Sequence, residues 1–280
     1  MKILRRKLKT VTDAILEKHA DTLNREILPM GKNKNITVIK FGGSLSKNPQ
    51  ARKKFIKELA MLVKKEAVVL IHGGGPEINA WLGKLGIASR FTDGYRVTDA
   101  ATLEVVEMVL SGKVNKEFVN DLRKHGVASC GISGKDAGLA LCKRLPKYGF
   151  VGEPIKINTK LISTLLSAGY VPVLSSLGYD AKGSTLNVNA DSLAMAVAVA
   201  LHASRLILLT DVRGVLDEQH RTIPLIRTVD IAGLLRRKVV SGGMIPKLKA
   251  SAASVRRGVR EVIIADGAGS LQHLCGTVIK

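Results

Sequence analysis

Aromatic side chains are scarce in this chain of 280 residues: Phe, Trp and Tyr make up 4% of it, with a single tryptophan. Few aromatics means few platforms on which unpaired bases can stack, which weighs against nucleic-acid binding as the main role. Cysteine is sparse too. Cys130, Cys142 and Cys275 have no CxxC spacing, and an odd number does not build a disulfide framework, so a reducing, cytoplasmic setting is expected. The six histidines carry no HExxH or paired-cysteine pattern, so no metal held by protein side chains is expected. No apolar run approaches the roughly 20 residues that span a bilayer. The Ala/Val-rich stretch 193–203 is too short and reads as a buried helix. The basic start, Met1-Lys-Ile-Leu-Arg-Arg-Lys-Leu-Lys9, lacks an apolar core and is not expected to act as a secretory signal.

Acidic residues are also few, 23 against 44 Lys and Arg, for a formal net charge of +21. Such an excess fits nucleic-acid binding, attraction of anionic substrates, an acidic partner protein, or a lysine-rich solvated surface. The basic residues are spread along the chain apart from clusters at 2–9, 236–238 and 256–260.

What is present is ordinary globular material, 46% hydrophobic and 24% charged, enough for one large α/β domain or two lobes sharing a sheet. The stretch that organises the chain is Ile36-Thr-Val-Ile-Lys-Phe-Gly-Gly-Ser44. Its β-formers run into a lysine and two glycines. A strand ending this way brings an ammonium to the sheet's carboxyl edge, where backbone N–H groups freed by glycine can close on an anion. Open α/β sheets bind ligands at that edge, so phosphate chemistry is expected at Lys40, Gly42 and Gly43; a snorkelling lysine before a tight turn is the plainer alternative. A second strand, 67–71, ends in His72-Gly-Gly-Gly-Pro76 and feeds a helix at 77–85, whose N-terminus offers free N–H groups. Three successive glycines there read as room for a ligand against the backbone.

The remaining pattern alternates. Helices are expected at 10–30, 49–65, 100–111, 116–125, 158–168 and from 192, and strands at 127–132, 170–175, 206–209, 262–265 and 276–279. Residues 150–157 have the composition of a hairpin piece, and 226–240 reads as helical or mixed. Strands that end in Gly, Asn or Asp between helices indicate a three-layer αβα sandwich around a mainly parallel sheet. Among the polar landmarks, Lys40 and Lys247 both sit beside glycine loops, and Asp191 follows Asn187 and Asn189. A carboxylate between two ammonium groups would hold both in place and offset their repulsion. Such a pair could stabilise a phosphoryl group in flight, a reaction that needs mostly positioning and charge. The alternative has both lysines on the surface and Asp191 as a helix cap. Arg96 could clamp a carboxylate, or be a surface arginine in a turn.

The chain resembles the amino-acid kinase family. The resemblance rests on Val38-Ile-Lys-Phe-Gly-Gly-Ser44, Ile71-His-Gly-Gly-Gly-Pro-Glu-Ile-Asn79, Asp93-Gly-Tyr-Arg-Val-Thr-Asp99, Val114-Asn-Lys116, Gly131-Ile-Ser-Gly-Lys-Asp136, Phe150-Val-Gly-Glu153, Leu186-Asn-Val-Asn-Ala-Asp191, Leu208-Leu-Thr-Asp-Val-Arg-Gly-Val-Leu-Asp217 and Gly242-Gly-Met-Ile-Pro-Lys247, in the family's order. It implies transfer of the γ-phosphate of ATP to a carboxylate, here giving N-acetyl-L-glutamyl 5-phosphate from N-acetyl-L-glutamate in arginine biosynthesis, with Mg²⁺ bridging the phosphates. By the same resemblance Lys40 and Lys247 stabilise the transition state and Asp191 organises them. Gly74, Gly75, Arg96, Asn187 and Asn189 would hold the acceptor. Gly42, Gly43, Asp211, Val212, Arg213, Gly214, Val215, Leu216, Val239, Val240, Ser241 and Met244 would line the ATP site. Residues 1–34 would be a basic segment with an amphipathic helix, 35–180 a lobe for the acceptor and dimerisation, and 181–280 the nucleotide lobe. A homodimer is implied, or a hexamer joined through the N-terminal helix.

Three departures stand out. Little chain separates Asp266 from the final Gly276-Thr277, the C-terminal segment that normally helps bind arginine looks eroded, and Asp266-Gly267 with the high positive charge is similar to sister kinases acting on aminoadipate or glutamate attached to an acidic carrier protein. Those sister kinases usually lack the full Gly-Gly-Gly-Pro, which leaves them as the alternative. A basic nucleic-acid-binding protein on a kinase scaffold is a further one, and the intact Lys40, Asp191 and Lys247 weigh against it.

Overall fold

The structure is a computed structural model that describes residues 35–42, 45, 48–237, 239–240, 242–267, 270–271 and 274–280. The helix expected at 10–30, the whole segment 1–34, Gly43 and Ser241 lie outside the described residues.

The chain opens with β1 (Ile36–Phe41), then α1 (Pro49–Leu62), whose first turn is closed by Asn48 accepting from the N–H groups of Gln50 and Ala51. Strand β2 (Ala67–His72) is buried throughout and runs into α2 (Gly75–Lys84). A small hairpin, β3 (Phe91–Thr92) and β4 (Tyr95–Arg96), precedes α3 (Ala100–Glu107), a π-helical segment (Met108–Val114) and α4 (Asn115–Lys124). Then come β5 (Ser129–Ser133), β6 (Ala140–Arg144), β7 (Val151–Ile157), α5 (Lys160–Ser167), β8 (Val171–Ser175), β9 (Leu177–Tyr179), β10 (Thr185–Val188) and α6 (Ala190–Ala200). The last part holds β11 (Arg205–Leu209), β12 (Leu225–Ile226), α7 (Ile231–Arg236), α8 (Met244–Arg256), β13 (Glu261–Ala265) and β14 (Gly276–Ile279).

Eight strands form one sheet in the order β12-β14-β13-β11-β1-β2-β8-β5, and every neighbouring pair is parallel except β13 with β14. Side chains alternate between two cores. Ile39, Leu70 and Ile207 pack with Phe55, Leu59, Leu82, Val106 and Phe118 from α1 to α4, while Val38, Ile71 and Leu208 pack with Ile162, Leu193, Val197, Leu248 and Ala252 from α5, α6 and α8. This is the expected three-layer αβα sandwich, and burial on both faces explains the unbroken apolar runs of its central strands. Strand β1 lies between β11 and β2, so the strand order reverses around it and a crevice opens at its carboxyl end.

Four differences from the sequence reading matter. Strands β10, β7, β6 and β9 close into a small second sheet beside the main one, of which only the 150–157 strand was anticipated. Strand β6, Ala140-Leu-Cys-Lys-Arg144, has no β-branched residue and gives no strand signal on its own. The two helices expected at 100–111 and 116–125 run on through the π-helical segment, with Gly112 inside the widened turn. Helix α6 starts at Ala190 rather than 192, because Asn189 caps it by accepting from the N–H groups of Asp191 and Ser192. Lastly, the 226–240 region resolves into β12 and α7.

Candidate active site

Lys40 is the fifth residue of β1 and shares a sheet face with Val38, the face covered by α6 and α8. Asp191 is in the first turn of α6, and Lys247 in the first turn of α8. These elements bring three residues that are remote in the chain into contact. Lys40 Nζ lies 2.9 Å from Asp191 Oδ1, and Lys247 Nζ lies 3.1 Å from Asp191 Oδ2. The three side chains are 12%, 15% and 22% exposed for Lys40, Lys247 and Asp191, enough burial for their charges to act strongly and enough opening for a ligand to reach them. Burial pushes the Asp191 carboxyl up, but the two ammonium groups together outweigh it and hold the group below the usual carboxylate range. Oδ1 has no well-directed hydrogen bond, so the Lys40 contact is an ion pair held by charge. Asp191 is therefore not the helix cap. That task falls to Asn189, which frees the aspartate to face the lysines.

Gly42 follows β1 directly. A Cβ there would sit 2.7 Å from the Leu209 carbonyl oxygen and 3.4 Å from Lys40 Nζ, so glycine lets the β1 and β11 ends approach beneath the ammonium group. The three glycines after β2 differ from one another. A side chain on Gly75 would meet nothing within 4 Å, as a ligand space requires, whereas one on Gly74 would strike Leu110 Cδ2 at 2.7 Å. Packing against Leu110 thus accounts for Gly74's lack of a side chain, whereas the sequence reading takes all three glycines as room for a ligand.

Gly73 and Gly75 help line a cavity of about 170 Å³ with Arg96, Ser176, Asn187 and Asn189. Arg96 is buried at 6% exposure, and burial lowers its guanidinium from the ordinary value. It donates to Ser89 Oγ and to the Gly75 carbonyl at 3.3 Å, and its guanidinium carbon stands 4.6 Å over the Phe91 ring. Thr98 links it to Asn187: Asn187 Nδ2 donates to Thr98 Oγ1 at 3.2 Å, and Thr98 Oγ1 donates to the Arg96 carbonyl at 2.8 Å. Ser89 lies outside every motif read from the sequence, and Thr98 sits within the Asp93–Asp99 motif but has no role assigned there, since only the β3–β4 hairpin and the second sheet bring them here.

After β11, Asp211, Val212 and Arg213 are exposed, while Gly214 and Val215 are buried. Gly214 has φ +151°, and a Cβ there would meet Thr277 Oγ1 at 2.7 Å; the Val215 N–H donates to the same hydroxyl at 2.8 Å. Leu216 bridges to Thr222. Val240 is buried, and Val239 and Met244 are half-buried on the way into α8. A larger cavity, about 510 Å³ and lined by Leu225, Val229, Leu234 and Arg237 among others, contains none of the predicted site residues.

Three kinds of likeness bear on which family the chain belongs to. The model of the amino acid kinase family matches residues 35–266. A protein of Endomicrobium trichonymphae named acetylglutamate kinase is 50% identical over 245 residues, 88% of this chain and 98% of that protein. One of the same name from Kosmotoga olearia is 43% identical over 235 residues, 82% and 83% of the two chains. Among solved structures, smu.665 from Streptococcus mutans UA159 superposes with a TM-score of 0.75 at 34% identity, over 88% of this chain and 98% of that one. Carbamate kinase from Giardia lamblia, at 17% identity and a TM-score of 0.67, shares the fold. The chain belongs to the amino acid kinase family.

Proposed function

We propose that the protein catalyses ATP-dependent phosphorylation of the side-chain carboxylate of N-acetyl-L-glutamate, giving N-acetyl-L-glutamyl 5-phosphate for arginine biosynthesis. The observation that carries this reading is the Lys40–Asp191–Lys247 cluster at the carboxyl end of β1. The names of the relatives supply the acceptor. A carboxylate oxygen of the acceptor attacks the γ-phosphorus; the bond from that phosphorus to the β–γ bridging oxygen breaks, and ADP leaves with the electron pair. The acceptor is already ionised at neutral pH, so no general base is required, and Asp191, held below the usual carboxylate range, would be a poor one. Lys40 and Lys247 face the charge that gathers on the moving phosphoryl oxygens, and Asp191 keeps the two ammonium groups from separating.

Arg96 and Asn187 hold the acceptor's polar groups in the 170 Å³ cavity, with Gly75 and Asn189 beside them; Gly74, which does not line that cavity, would act as part of the same glycine loop. Asp211 to Leu216, Val239, Val240 and Met244 line the nucleotide side, and Gly42 lies under the phosphates. Both oxygens of Asp191 face ammonium groups, so this carboxylate offers Mg²⁺ no ligand. Mg²⁺ carried by the nucleotide would neutralise part of the β- and γ-phosphate charge. Residues 35–180 form the acceptor lobe and 181–280 the nucleotide lobe, with Asn187 and Asn189 reaching across. A homo-oligomer belongs to the same reading, and the cysteines, all free, support a cytoplasmic setting. Among the described residues no helix is long and apolar enough to cross a membrane.

Trapping the acyl phosphate as a hydroxamate, with free N-acetylglutamate, glutamate and aminoadipate as acceptors, tests the reading. Turnover only on a carrier-bound acceptor would refute it in favour of the sister activity.

A further inference from the structure

The Val114-Asn-Lys116 motif has no task in the reaction above, and neither does His72. The structure joins them beneath the glycine loop. His72 is 0% exposed at the end of β2, and Asn115 is 1% exposed at the exit of the π-helical segment. Asn115 Nδ2 lies 2.8 Å from the Val173 carbonyl oxygen, 3.3 Å from that of Ile132 and 3.1 Å from His72 Nε2. Its Oδ1 accepts from Lys116 Nζ at 3.2 Å. Turning this amide over would place its oxygen against two carbonyl oxygens and its NH₂ against an ammonium group, so the orientation is determined by its partners.

The ring tautomer follows. Nε2 faces an N–H donor and must be the bare nitrogen, which leaves the proton on Nδ1. Nδ1 lies 2.9 Å from the carbonyl oxygen of Gly73 and donates to it. The ring also has Phe118 beside it, centroids 5.3 Å apart. The same helical run presses on the loop a second time, since Leu110 occupies the space a Gly74 side chain would need. Gly131 makes room for the arrangement: a Cβ there would overlap Asn115 Oδ1 at 1.9 Å and Lys116 Nζ at 2.8 Å. A π-helical turn shifts the register of the residues that follow it, and such turns recur at functional sites.

We propose that Asn115 and His72 are positioning residues: Asn115 locks His72 as the Nδ1–H tautomer, and that N–H pins the Gly73 carbonyl, so the loop entering α2 keeps the shape in which its free N–H groups meet the acceptor. Neither residue touches the reacting atoms. The inference rests on the reading that Gly73 to Gly75 border the acceptor cavity.

The first measurement needs no substrate. Side-chain ¹⁵N spectra of His72 in the full-length protein should show a protonated Nδ1 and a bare Nε2; a protonated Nε2 overturns the proposal. The second is kinetic. An asparagine carries its amide about where Nδ1 sits, and a glutamine about where Nε2 sits. His72→Asn should keep the acceptor KM within about fivefold of the parent, while His72→Gln and the near-isosteric Asn115→Leu should raise it roughly tenfold or more with the ATP KM little changed. A purely structural role would lower the melting temperature and move both KM values together, and that result, or equal effects of His72→Asn and His72→Gln, overturns the positioning role. Should N-acetylglutamate prove not to be the acceptor, the tautomer would still be readable, and the KM comparison would be made on the acceptor that is turned over.

Discussion

Replacing Asp191 by asparagine isolates the charge that joins the two lysines. The substitution keeps the shape, and it leaves the start of α6 intact because Asn189 supplies the cap through its own side chain. What changes is the electrostatics of two ammonium groups that stood 2.9 and 3.1 Å from one carboxylate. Bridged by that carboxylate, they are on the order of 7 Å apart, and at an effective dielectric of about 20 their repulsion is roughly 2 kcal/mol. Loss of the attraction that aims them adds a similar amount, so the barrier should rise by about 2–4 kcal/mol, or roughly thirty- to a thousand-fold in kcat. The acceptor KM should move little, since the proposed acceptor contacts, Arg96 and Asn187, line the cavity from other elements. Initial rates of acyl phosphate formation at saturating ATP give both parameters. Combining Asp191→Asn with Lys247→Ala supplies an internal check: once one ammonium is gone, removing the aspartate should cost much less than it does alone. A kcat within threefold of the parent, or full additivity in the double variant, would show that Asp191 does not organise the lysines.

Lys40→Ala and Lys247→Ala should each lower kcat by about 10²–10³ with little change in the acceptor KM, since the interaction grows as charge builds on the phosphoryl group; full kcat in Lys247→Ala would remove it from the reaction. Arg96→Ala should chiefly raise the KM for N-acetylglutamate, by about tenfold or more, and leave the ATP KM alone; steady-state titration of each substrate decides this. Gly42→Ala should destabilise the fold by about 1–3 kcal/mol, because its methyl meets the Leu209 backbone rather than a side chain that can move aside; urea unfolding measures it, and an unchanged midpoint would contradict the close approach. His72 is held at about 4, against an ordinary 6.5, by burial, with Arg52 and Lys116 pushing the same way while the Gly73 hydrogen bond opposes them. The unfolded ring therefore takes up a proton between these values while the folded one does not. Stability should be fully present above pH 6.5 and fall by about 3 kcal/mol as pH drops towards 4, and His72→Asn should flatten that slope in unfolding experiments.

Several features could be read from the chain alone, because each is carried by neighbours in sequence. Unbroken apolar runs such as Ala67-Val-Val-Leu-Ile71 signal a strand buried on both faces, and Gly-rich strand ends mark the ligand-bearing edge of the sheet. Motif order from Lys40 to Lys247 was enough for the family and the sandwich. Spacing alone left Lys40, Asp191 and Lys247 as either a cluster or two surface lysines and a cap, and only the crossing of β1, α6 and α8 decided between them. Tertiary packing also separated the glycines. Gly74 yields to Leu110 and Gly75 opens on the cavity, although both sit in one identical run. The Ser89–Arg96 contact depends on the β3–β4 hairpin, the Thr98–Asn187 contact on the second sheet and the His72–Asn115 contact on a π-helical turn. Local sequence carries no periodicity for any of them, because their hydrogen bonds join residues that only folding brings together.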